Sequence, residues 1–303
     1  MQSFAAYRSQ SIARFGSTSI WRTLLGSLII AVLLIVGQSL ALVSYMIVTP
    51  GPNTLAEVLS APVAILTLLF SFASAHLAVL VCALLLHRRG YFAFWGASPA
   101  IRTRGVVAGI LAVAIALGSL TGLSWPYAPP VQQLPLGVWA VYVAPALCAL
   151  LIQTSAEELV FRGYLQPLLA TRFRSPLIWF ALPACLFGAV HWQPGTFGEN
   201  AWLVVLAATL IGLITADVTV RTGNISAAVG LHFANNAIGL LLVATPGPLS
   251  GLGLFLNTIP PSDIAATRIG LIANIAIFAL AYALWLLWLR RRTRLLSPHE
   301  PTI

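Results

Sequence analysis

Long apolar stretches recur along the whole sequence, from about residue 21 to residue 289, with only short polar segments between them. Several exceed the roughly 18 residues that a helix needs to cross the hydrocarbon core of a bilayer. The composition agrees, because 59% of the 303 residues are hydrophobic and 8% are charged, against about a quarter charged in soluble domains. The sequence therefore predicts an all-α integral membrane protein, a polytopic bundle of transmembrane helices rather than a soluble domain with one anchor.

About eight transmembrane helices are predicted. Clusters of proline and glycine separate the apolar stretches, and no internal repeat or low-complexity linker divides the chain. A single membrane domain is therefore predicted for residues 1–303. The predicted spans are Trp21–Val48, Val63–Leu86, Val106–Leu123, Val138–Ala170, Leu177–Trp192, Ala201–Val220, Ile225–Leu241 and Arg268–Leu289.

The basic residues, all sixteen of them arginine, determine the predicted orientation. They cluster before the first span and after the second, fourth, sixth and eighth, whereas the loops at 49–62, 124–137, 193–200 and 242–262 contain none. Because positively charged loops stay in the cytoplasm, both termini are predicted to be cytoplasmic, with tails at residues 1–20 and 290–303. The net charge of +9 is attributed to contact with the lipid bilayer, and no nucleic-acid partner is expected.

Three short polar segments lie inside the apolar stretches, and they carry most of the functional signal. They read Glu157-Glu158-Leu-Val-Phe-Arg162, Phe187-Gly-Ala-Val-His191 and His232-Phe-Ala-Asn235-Asn236. Only seven acidic residues occur in the whole chain, and two of them are adjacent in the first segment. Because a carboxylate inside a membrane span is energetically costly, it indicates a functional site by default.

The first segment predicts an ion pair and one free carboxylate. Glu158 and Arg162 are four residues apart with the acid first, which favours pairing on one helix face. Glu157 is rotated by about 100° from Glu158 around the helix axis, so it is free to face the bundle interior. The Glu158–Arg162 pair is interpreted either as purely structural or as support for Glu157, and the sequence leaves both readings open.

The other two segments each place two side chains on one helix face. Phe187 and His191 are four residues apart, and so are His232 and Asn236, whereas Asn235 lies off the second face. If the fourth and fifth spans form a hairpin, the helical rise of about 1.5 Å per residue brings all three segments to a similar depth. The segments are therefore predicted to converge in one layer of the bilayer.

This order of motifs resembles that of the intramembrane proteases related to the eukaryotic CAAX prenyl endopeptidase, also called the CPBP or Abi family. The family pattern is Glu-Glu-x-x-x-Arg, then Phe-x-x-x-His, then His-x-x-x-Asn or Asp, and all three parts are present. The first continues as Phe161-Arg162-Gly163-Tyr164-Leu165, and Thr222-Gly223-Asn224 precedes the third, both in the family style. The resemblance covers residues 138–241, the predicted catalytic core, and the remaining spans carry no comparable signature.

The resemblance implies hydrolysis of a peptide bond inside the membrane, and the residue chemistry agrees with this. A carboxylate in an apolar site is suited to act as a general base, so Glu157, together with His191, is assigned to activating a water molecule. His232 and the Asn236 amide are assigned to stabilising the oxyanion of the tetrahedral intermediate. The residues assigned to supporting this group are Glu158, Arg162 and Phe187.

A zinc-dependent protease is the alternative, because two histidines and a glutamate also form hydrolytic zinc sites. Its ligands would be Glu157, His191 and His232, and members of the family have often been labelled metalloproteases. Against zinc, the chain has no His-Glu-x-x-His motif, and Asn236 is a poor zinc ligand. The interpretation therefore favours a metal-free glutamate mechanism without a cofactor and keeps zinc as the alternative.

A non-catalytic membrane protein on the same fold, such as an immunity or scaffold protein, is the other alternative. No motif residue is lost, which favours the enzyme, although a fold does not by itself establish an activity. The all-arginine basic set fits a bacterium with a GC-rich genome, where a prenylated CAAX protein is not expected. The expected substrate is therefore a membrane protein or peptide in a bacterial plasma membrane, and the sequence does not indicate an oligomeric state.

Polar residues elsewhere are interpreted as structural. His76 lies within the second span and is expected to form an interhelical hydrogen bond. Asp217 and Arg221 are expected to pair near the cytoplasmic surface, and Thr54-Leu-Ala-Glu57 is typical of a capping box on a short external helix. His87 follows the second span beside two arginines and is expected to be solvated.

Overall fold

The computed structural model of the protein describes residues 3–16, 19–49, 51, 54–97, 103–124 and 128–296. Helices make up nearly all of the regular structure in these residues, and eight apolar helical segments recur along the chain. The protein is therefore an all-α polytopic membrane bundle, as the apolar stretches predicted. Of the predicted tails, residues 1–2, 17–18 and 297–303 lie outside the described residues. The cytoplasmic location of both termini stays a prediction.

Thirteen α-helices occur within the described residues. Their bounds are Phe4–Phe15 (α1), Ile20–Val48 (α2), Leu55–Val58 (α3), Pro62–Ser71 (α4), Ala73–Leu85 (α5), Thr103–Ser124 (α6), Leu136–Glu158 (α7), Gln166–Arg172 (α8), Leu182–Ala189 (α9), Pro194–Phe197 (α10), Ala201–Thr222 (α11), Ser226–Ala237 (α12) and Ile264–Leu296 (α13). Three segments are π-helical: Leu159–Leu165, Leu177–Ala181 and Ile238–Leu242.

In the described part of the chain, five helical segments are long and apolar enough to cross a membrane, namely residues 20–48, 62–85, 136–172, 194–222 and 264–291. Three shorter apolar helices cover residues 103–118, 177–189 and 226–242. Together these eight segments overlap the eight predicted spans one by one. The fourth is longer than predicted because α7, a π-helical segment and α8 form one helix of 37 residues.

Glycines allow α6 and α12 to pack with their backbones in contact. A Cβ atom on Gly109 would lie 2.7 Å from the Leu231 backbone nitrogen, and one on Gly230 would lie 2.3 Å from the Val106 carbonyl oxygen. Small residues at such crossings let membrane helices approach each other closely. The helix that carries His232 is thereby held firmly against α6.

The helix that carries the first polar segment changes its winding directly after Glu158. Residues Leu159–Leu165 are π-helical, and Pro167 follows two residues later. Proline has no N–H group, so Pro167 cannot donate to the carbonyl group of Gly163, and the local hydrogen-bond register shifts. Such π-helical segments are frequent at functional sites, and this one adjoins the two neighbouring carboxylates.

A small three-stranded sheet lies where α7 begins and α12 ends. Its strands are Val131–Gln132 (β1), Val243–Ala244 (β2) and Phe255–Leu256 (β3), in the order β1-β3-β2. β3 pairs antiparallel with β1 and parallel with β2. β1 precedes α7, which carries Glu157 and Glu158, and β2 follows α12, which carries His232. The sheet therefore connects the start of α7 with the end of α12. The sequence analysis did not predict it, since strands of two residues leave no alternating pattern.

The predicted N-terminal tail contains a helix that packs against the bundle. In α1, Tyr7, Ser11 and Phe15 are spaced four residues apart, and all three are buried. Tyr7 stacks on Trp179, with ring centroids 5.6 Å apart, and α1 also contacts α8. The segment is too polar for a span, and its single apolar face is buried against the end of the fourth span and the start of the fifth.

Candidate active site

Three helices bring the polar segments together in the interior of the bundle. Glu157 and Glu158 end α7, His232 and Asn236 lie in α12, and His191 follows the end of α9. Side chains of α7 and α12 contact each other directly, whereas His191 is connected to them through an aromatic ring. The predicted convergence of the three segments is therefore confirmed.

Glu158 and Arg162 form the predicted ion pair, and Glu158 also binds His232. The Arg162 Nη1 atom lies 3.2 Å from Glu158 Oε1, and His232 Nδ1 lies 2.9 Å from the same oxygen. All three side chains are at most 5% exposed. Because a carboxylate accepts hydrogen bonds, Nδ1 of His232 is the donor, and Nε2 faces the rest of the site. Glu158 thus fixes the orientation of the His232 ring, which the sequence analysis did not anticipate.

Glu157 is the more accessible of the two carboxylates, with a side chain that is 16% exposed compared with 0% for Glu158. Gln153 Nε2 donates to Glu157 Oε1 at 2.6 Å, and His232 Nε2 lies 3.5 Å from Oε2. Within the described part of the chain, Oε2 has no hydrogen-bond partner. This oxygen is buried and lies beside His232. The hydrogen bond from Gln153 holds the Glu157 rotamer, and the supporting role of the Glu158–Arg162 pair stays a prediction.

Asn236 completes the cluster from α12. Its Nδ2 atom donates to Gln153 Oε1 at 3.0 Å and lies 3.3 Å from His232 Nε2. Asn235 lies off the shared face, as predicted, and its Nδ2 atom donates to Asn236 Oδ1 at 3.0 Å. Sequence reasoning missed Gln153, although its spacing of four residues from Glu157 on one helix was a signal that could have found it.

His191 and Phe187 form the outer side of the site. His191 Nδ1 donates to the Phe187 carbonyl oxygen at 2.7 Å. The Phe187 ring centroid lies 4.8 Å from that of His191 and 5.7 Å from that of His232, and the Arg162 guanidinium lies 4.6 Å above the Phe187 ring. No hydrogen bond joins His191 to Glu157, both of which are among the described residues. A joint action of these two residues therefore requires a water molecule or substrate between them.

The arrangement does not bring three metal ligands together. Among the described residues, no group of three His, Cys, Asp or Glu side chains is close enough to hold a metal ion. In the predicted zinc set of Glu157, His191 and His232, the Phe187 ring lies against both histidine rings. One feature is shared with zinc sites, namely a carboxylate that accepts a hydrogen bond from a histidine. As they are arranged, these residues do not fit a zinc ion.

Most polar residues outside the three segments behave as interpreted. His76 Nε2 bonds to the Ile152 carbonyl oxygen at 3.1 Å, which links α5 to α7. Reciprocal hydrogen bonds form the expected capping box at Glu57. Asp217 and Arg221 form the expected ion pair. These three contacts are confirmed, and the predicted positions of the last two relative to the membrane stay predictions.

The prediction that His87 is solvated is wrong. Its Nε2 atom lies 2.8 Å from the Tyr164 hydroxyl oxygen, and its ring packs edge-on against Phe94 and Tyr164. Burial, followed by the positive charge of Arg22, lowers the pKa of His87 to about 4. The neighbouring arginines suggested solvent, but the chain turns at Arg88, which has a left-handed φ of 51°, and His87 stays against the bundle.

Residues 135–238 match the family model of the type II CAAX prenyl endopeptidase Rce1-like proteins. The matched range contains all three polar segments and nearly coincides with the predicted core, so the resemblance is confirmed over this part of the chain. The uncharacterized protein YyaK of Bacillus subtilis (strain 168) is 30% identical over 114 residues, which are 38% of this chain and 38% of that relative. The alignment thus spans well under half of the relative's length. No solved structure matches the chain.

Proposed function

We propose that the protein is an intramembrane endopeptidase of the CAAX protease type, in which Glu157 activates the water molecule that hydrolyses a peptide bond. The observation that carries this proposal is the Glu157 carboxylate, whose side chain is 16% exposed. Its Oε2 atom, buried and without a hydrogen-bond partner among the described residues, lies 3.5 Å from His232 Nε2 beside a buried ion pair. A carboxylate that can take up a proton beside a histidine is suited to general base catalysis. The family match over residues 135–238 supports the reaction class.

The proposed reaction begins with a water molecule between Glu157 Oε2 and the carbonyl carbon of the substrate. Glu157 takes one proton from this water as the water oxygen attacks the carbonyl carbon, which gives a tetrahedral oxyanion. When the C–N bond breaks, Glu157 gives the proton to the leaving amine. One water molecule is consumed, a carboxylic acid and an amine are formed, and the Glu157 carboxylate is regenerated.

The histidines and Asn236 have separate proposed roles. Because Nδ1 of His191 donates to a backbone carbonyl, its Nε2 atom is available to accept a hydrogen bond from the attacking water. On the other side of the site, Asn236 Nδ2 lies 3.3 Å from His232 Nε2. The substrate carbonyl oxygen takes the place of this mutual contact. The Asn236 N–H group, and the Nε2–H group that His232 carries in its imidazolium form with Nδ1–H on Glu158, then stabilise the developing oxyanion.

The proposed substrate is a membrane protein or membrane-bound peptide in a bacterial plasma membrane. His191 is half-buried, and Val190 and Trp192 beside it are exposed, so an extended peptide can approach the site from the end of α9. A comparison of the membrane proteomes of a strain that lacks the protein and of its parent identifies the substrate. A reporter peptide made from the accumulated protein then serves all kinetic tests.

Glu157→Ala in the purified full-length protein tests the proposal. General base catalysis contributes about 10²- to 10⁴-fold, so cleavage of the reporter is expected to fall by at least this range. The Tm in detergent stays close to that of the parent, because the relief of the carboxylate's desolvation cost offsets the acceptor that Gln153 Nε2 loses. Glu57→Ala, in the capping box of α3, is the matched control and keeps its activity. Full cleavage by Glu157→Ala would refute the assignment, and a parent that cleaves nothing would favour the non-catalytic alternative.

Chelation separates the glutamate mechanism from the zinc alternative. A zinc enzyme loses activity on chelation and regains it with metal, because the ion generates its nucleophile. We expect the purified protein to keep cleaving the reporter after prolonged treatment with 1,10-phenanthroline and to carry no stoichiometric zinc. Stoichiometric zinc found by mass spectrometry, together with chelator-sensitive cleavage, would replace the glutamate mechanism and leave the proteolytic proposal in place.

A further inference from the structure

A chain of three side-chain amides crosses the candidate site and ends on the Glu157 carboxylate. Asn235 Nδ2 donates to Asn236 Oδ1 at 3.0 Å, and Asn236 Nδ2 donates to Gln153 Oε1, also at 3.0 Å. Gln153 Nε2 then donates to Glu157 Oε1 at 2.6 Å. The chain joins α12 to α7, and Gln153, its link between the two helices, is 6% exposed.

The carboxylate sets the direction of this chain. An ionised carboxylate only accepts hydrogen bonds, so the amide that faces Glu157 has to present its N–H group. Gln153 then presents its oxygen to α12, and Asn236 has to face that oxygen with its own N–H group. If the Gln153 amide were reversed, oxygen would face oxygen at one end and N–H would face N–H at the other. Two unpaired contacts in a buried site are costly, so the direction is fixed.

We propose that Gln153 is a positioning residue that couples the two halves of the site. It holds the carboxylate of the general base and, through the same amide, orients Asn236 for the oxyanion. This inference rests on the proposed function, because it takes Glu157 as the base and Asn236 as the oxyanion donor. None of the three motifs includes Gln153, which acts through these two residues and not on the reacting atoms.

Gln166 provides a matched control on the same long helix. It is fully buried, and its Nε2 atom donates to the Ala216 carbonyl oxygen at 3.3 Å, which links α8 to α11. Within the described residues, its hydrogen bonds involve none of the candidate site residues. Gln166→Met and Gln153→Met therefore remove a buried amide of the same kind, but only Gln153→Met interrupts the chain to Glu157.

The kinetics of the two methionine variants distinguish positioning from packing. We expect Gln153→Met to lower kcat roughly 10- to 100-fold, the range for a hydrogen bond to a charged group, with little change in KM. Gln166→Met keeps the kcat and KM of the parent. An unchanged kcat in Gln153→Met, or a change in its KM alone, overturns the inference.

Labelling of Glu157 with a carbodiimide tests the same contact without a substrate. The reagent adds to a protonated carboxyl group: the oxygen bonds to the central carbon, and the proton moves to a nitrogen. At one pH, peptide mass spectrometry is expected to show faster labelling of Glu157 in Gln153→Met than in the parent or in Gln166→Met, with Glu157→Gln as the background. Equal rates overturn the inference whatever the activity. If the parent cleaves no reporter but Glu157 is still labelled faster in Gln153→Met, the contact between Gln153 and Glu157 is supported. Only the proposed protease activity is then refuted.

Discussion

The helical segments at residues 20–48 and 194–222 are both strongly apolar, yet they occupy opposite positions in the bundle. In the most apolar window of the first, 11% of the residues are buried inside the protein, against 56% in the second. Leu24, Leu28 and Ile35 of α2 are all exposed on the outside of the bundle. An apolar sequence therefore predicts that a helix crosses the membrane, but it does not show how much of that helix the rest of the protein covers.

Polar residues indicate which part of a helix the rest of the protein covers, whereas hydropathy does not. A charged group inside the bilayer needs partners, and only a helix surrounded by other helices can supply them. Glu158, Arg162 and His232 satisfy one another in the interior, whereas α2 has no charged residue after Arg22. A fully buried polar group should therefore depend on specific partners, whereas a partly exposed one should not.

The largest effect is expected from Glu158→Ala. The change leaves Arg162 without its partner in the interior and releases the His232 ring from its hydrogen bond. Breaking a buried ion pair by removing one partner costs about 3–5 kcal/mol. We expect low expression, a clearly lower Tm in detergent and loss of reporter cleavage.

Asp217→Ala is the matched control for this prediction. Asp217 and Arg221 are also four residues apart on one helix, but their side chains are 13% and 30% exposed near the end of α11. Water can solvate Arg221 when the carboxylate is removed, but the Tyr282 hydroxyl also loses its acceptor. The expected loss is about 1–2 kcal/mol, below that of Glu158→Ala. If both variants have the same Tm, the buried position of Glu158 does not decide its contribution, and the contrast between fully buried and partly exposed ion pairs fails.

A smaller effect is expected where α6 packs on α12. A Cβ atom introduced by Gly109→Ala would lie 2.7 Å from the Leu231 backbone nitrogen and 2.8 Å from the Ala227 carbonyl oxygen. The two helices must separate beside His232, and overpacking of this kind costs about 1–3 kcal/mol. Thermal unfolding followed by circular dichroism measures the loss, and the reporter peptide measures the accompanying loss of activity.

Gly118→Ala is the control on the same helix. Nothing lies within 4 Å of a Cβ atom at this position. Alanine is the better helix former, so we expect no loss and a gain of up to about 1 kcal/mol. If Gly109→Ala is as stable and active as Gly118→Ala, the crossing of α6 and α12 tolerates displacement. Close packing against α6 is then not what holds α12 in place.

Much of the architecture could be predicted from the sequence because it depends on local properties. The positions of the eight apolar segments follow from length and hydropathy. The pairing of Glu158 with Arg162 follows from helical spacing, and the capping box at Glu57 follows from the order of four residues. In each case, one stretch of chain contains all of the interacting groups.

The remaining contacts depend on which helices are neighbours and how each is rotated. Gln153 has a readable spacing from Glu157, but its bond to Asn236 exists only because α7 packs on α12. His191 lies on the expected helix face, yet the Phe187 ring and not Glu157 is its neighbour. The sheet of β1, β2 and β3 joins distant segments that are too short to show a strand pattern. Sequence spacing within one segment cannot predict these contacts, because each of them depends on how separate segments pack.

The smallest effect is expected at His87, which follows α5 and contacts Tyr164 in the π-helical segment after α7. The His87 Nε2 atom lies 2.8 Å from the Tyr164 hydroxyl oxygen, and burial and Arg22 lower the pKa of His87 to about 4. The ordinary pKa of histidine is about 6.5, so between these values the unfolded chain binds a proton that the folded protein does not. The contribution of His87 to stability is therefore complete above about pH 6.5 and is lost as the pH falls toward 4.

Comparison with His87→Gln isolates this contribution, because glutamine keeps a hydrogen-bonding group near Tyr164 but does not titrate. We expect the Tm of the parent in detergent to fall more steeply than that of His87→Gln between about pH 7 and pH 4.5. Other groups titrate equally in both proteins, so the difference between the two curves reports His87 alone. Parallel curves would show that the folded protein does not hold His87 in its neutral form. The contact between His87 and Tyr164 would then contribute nothing to the pH dependence of the Tm.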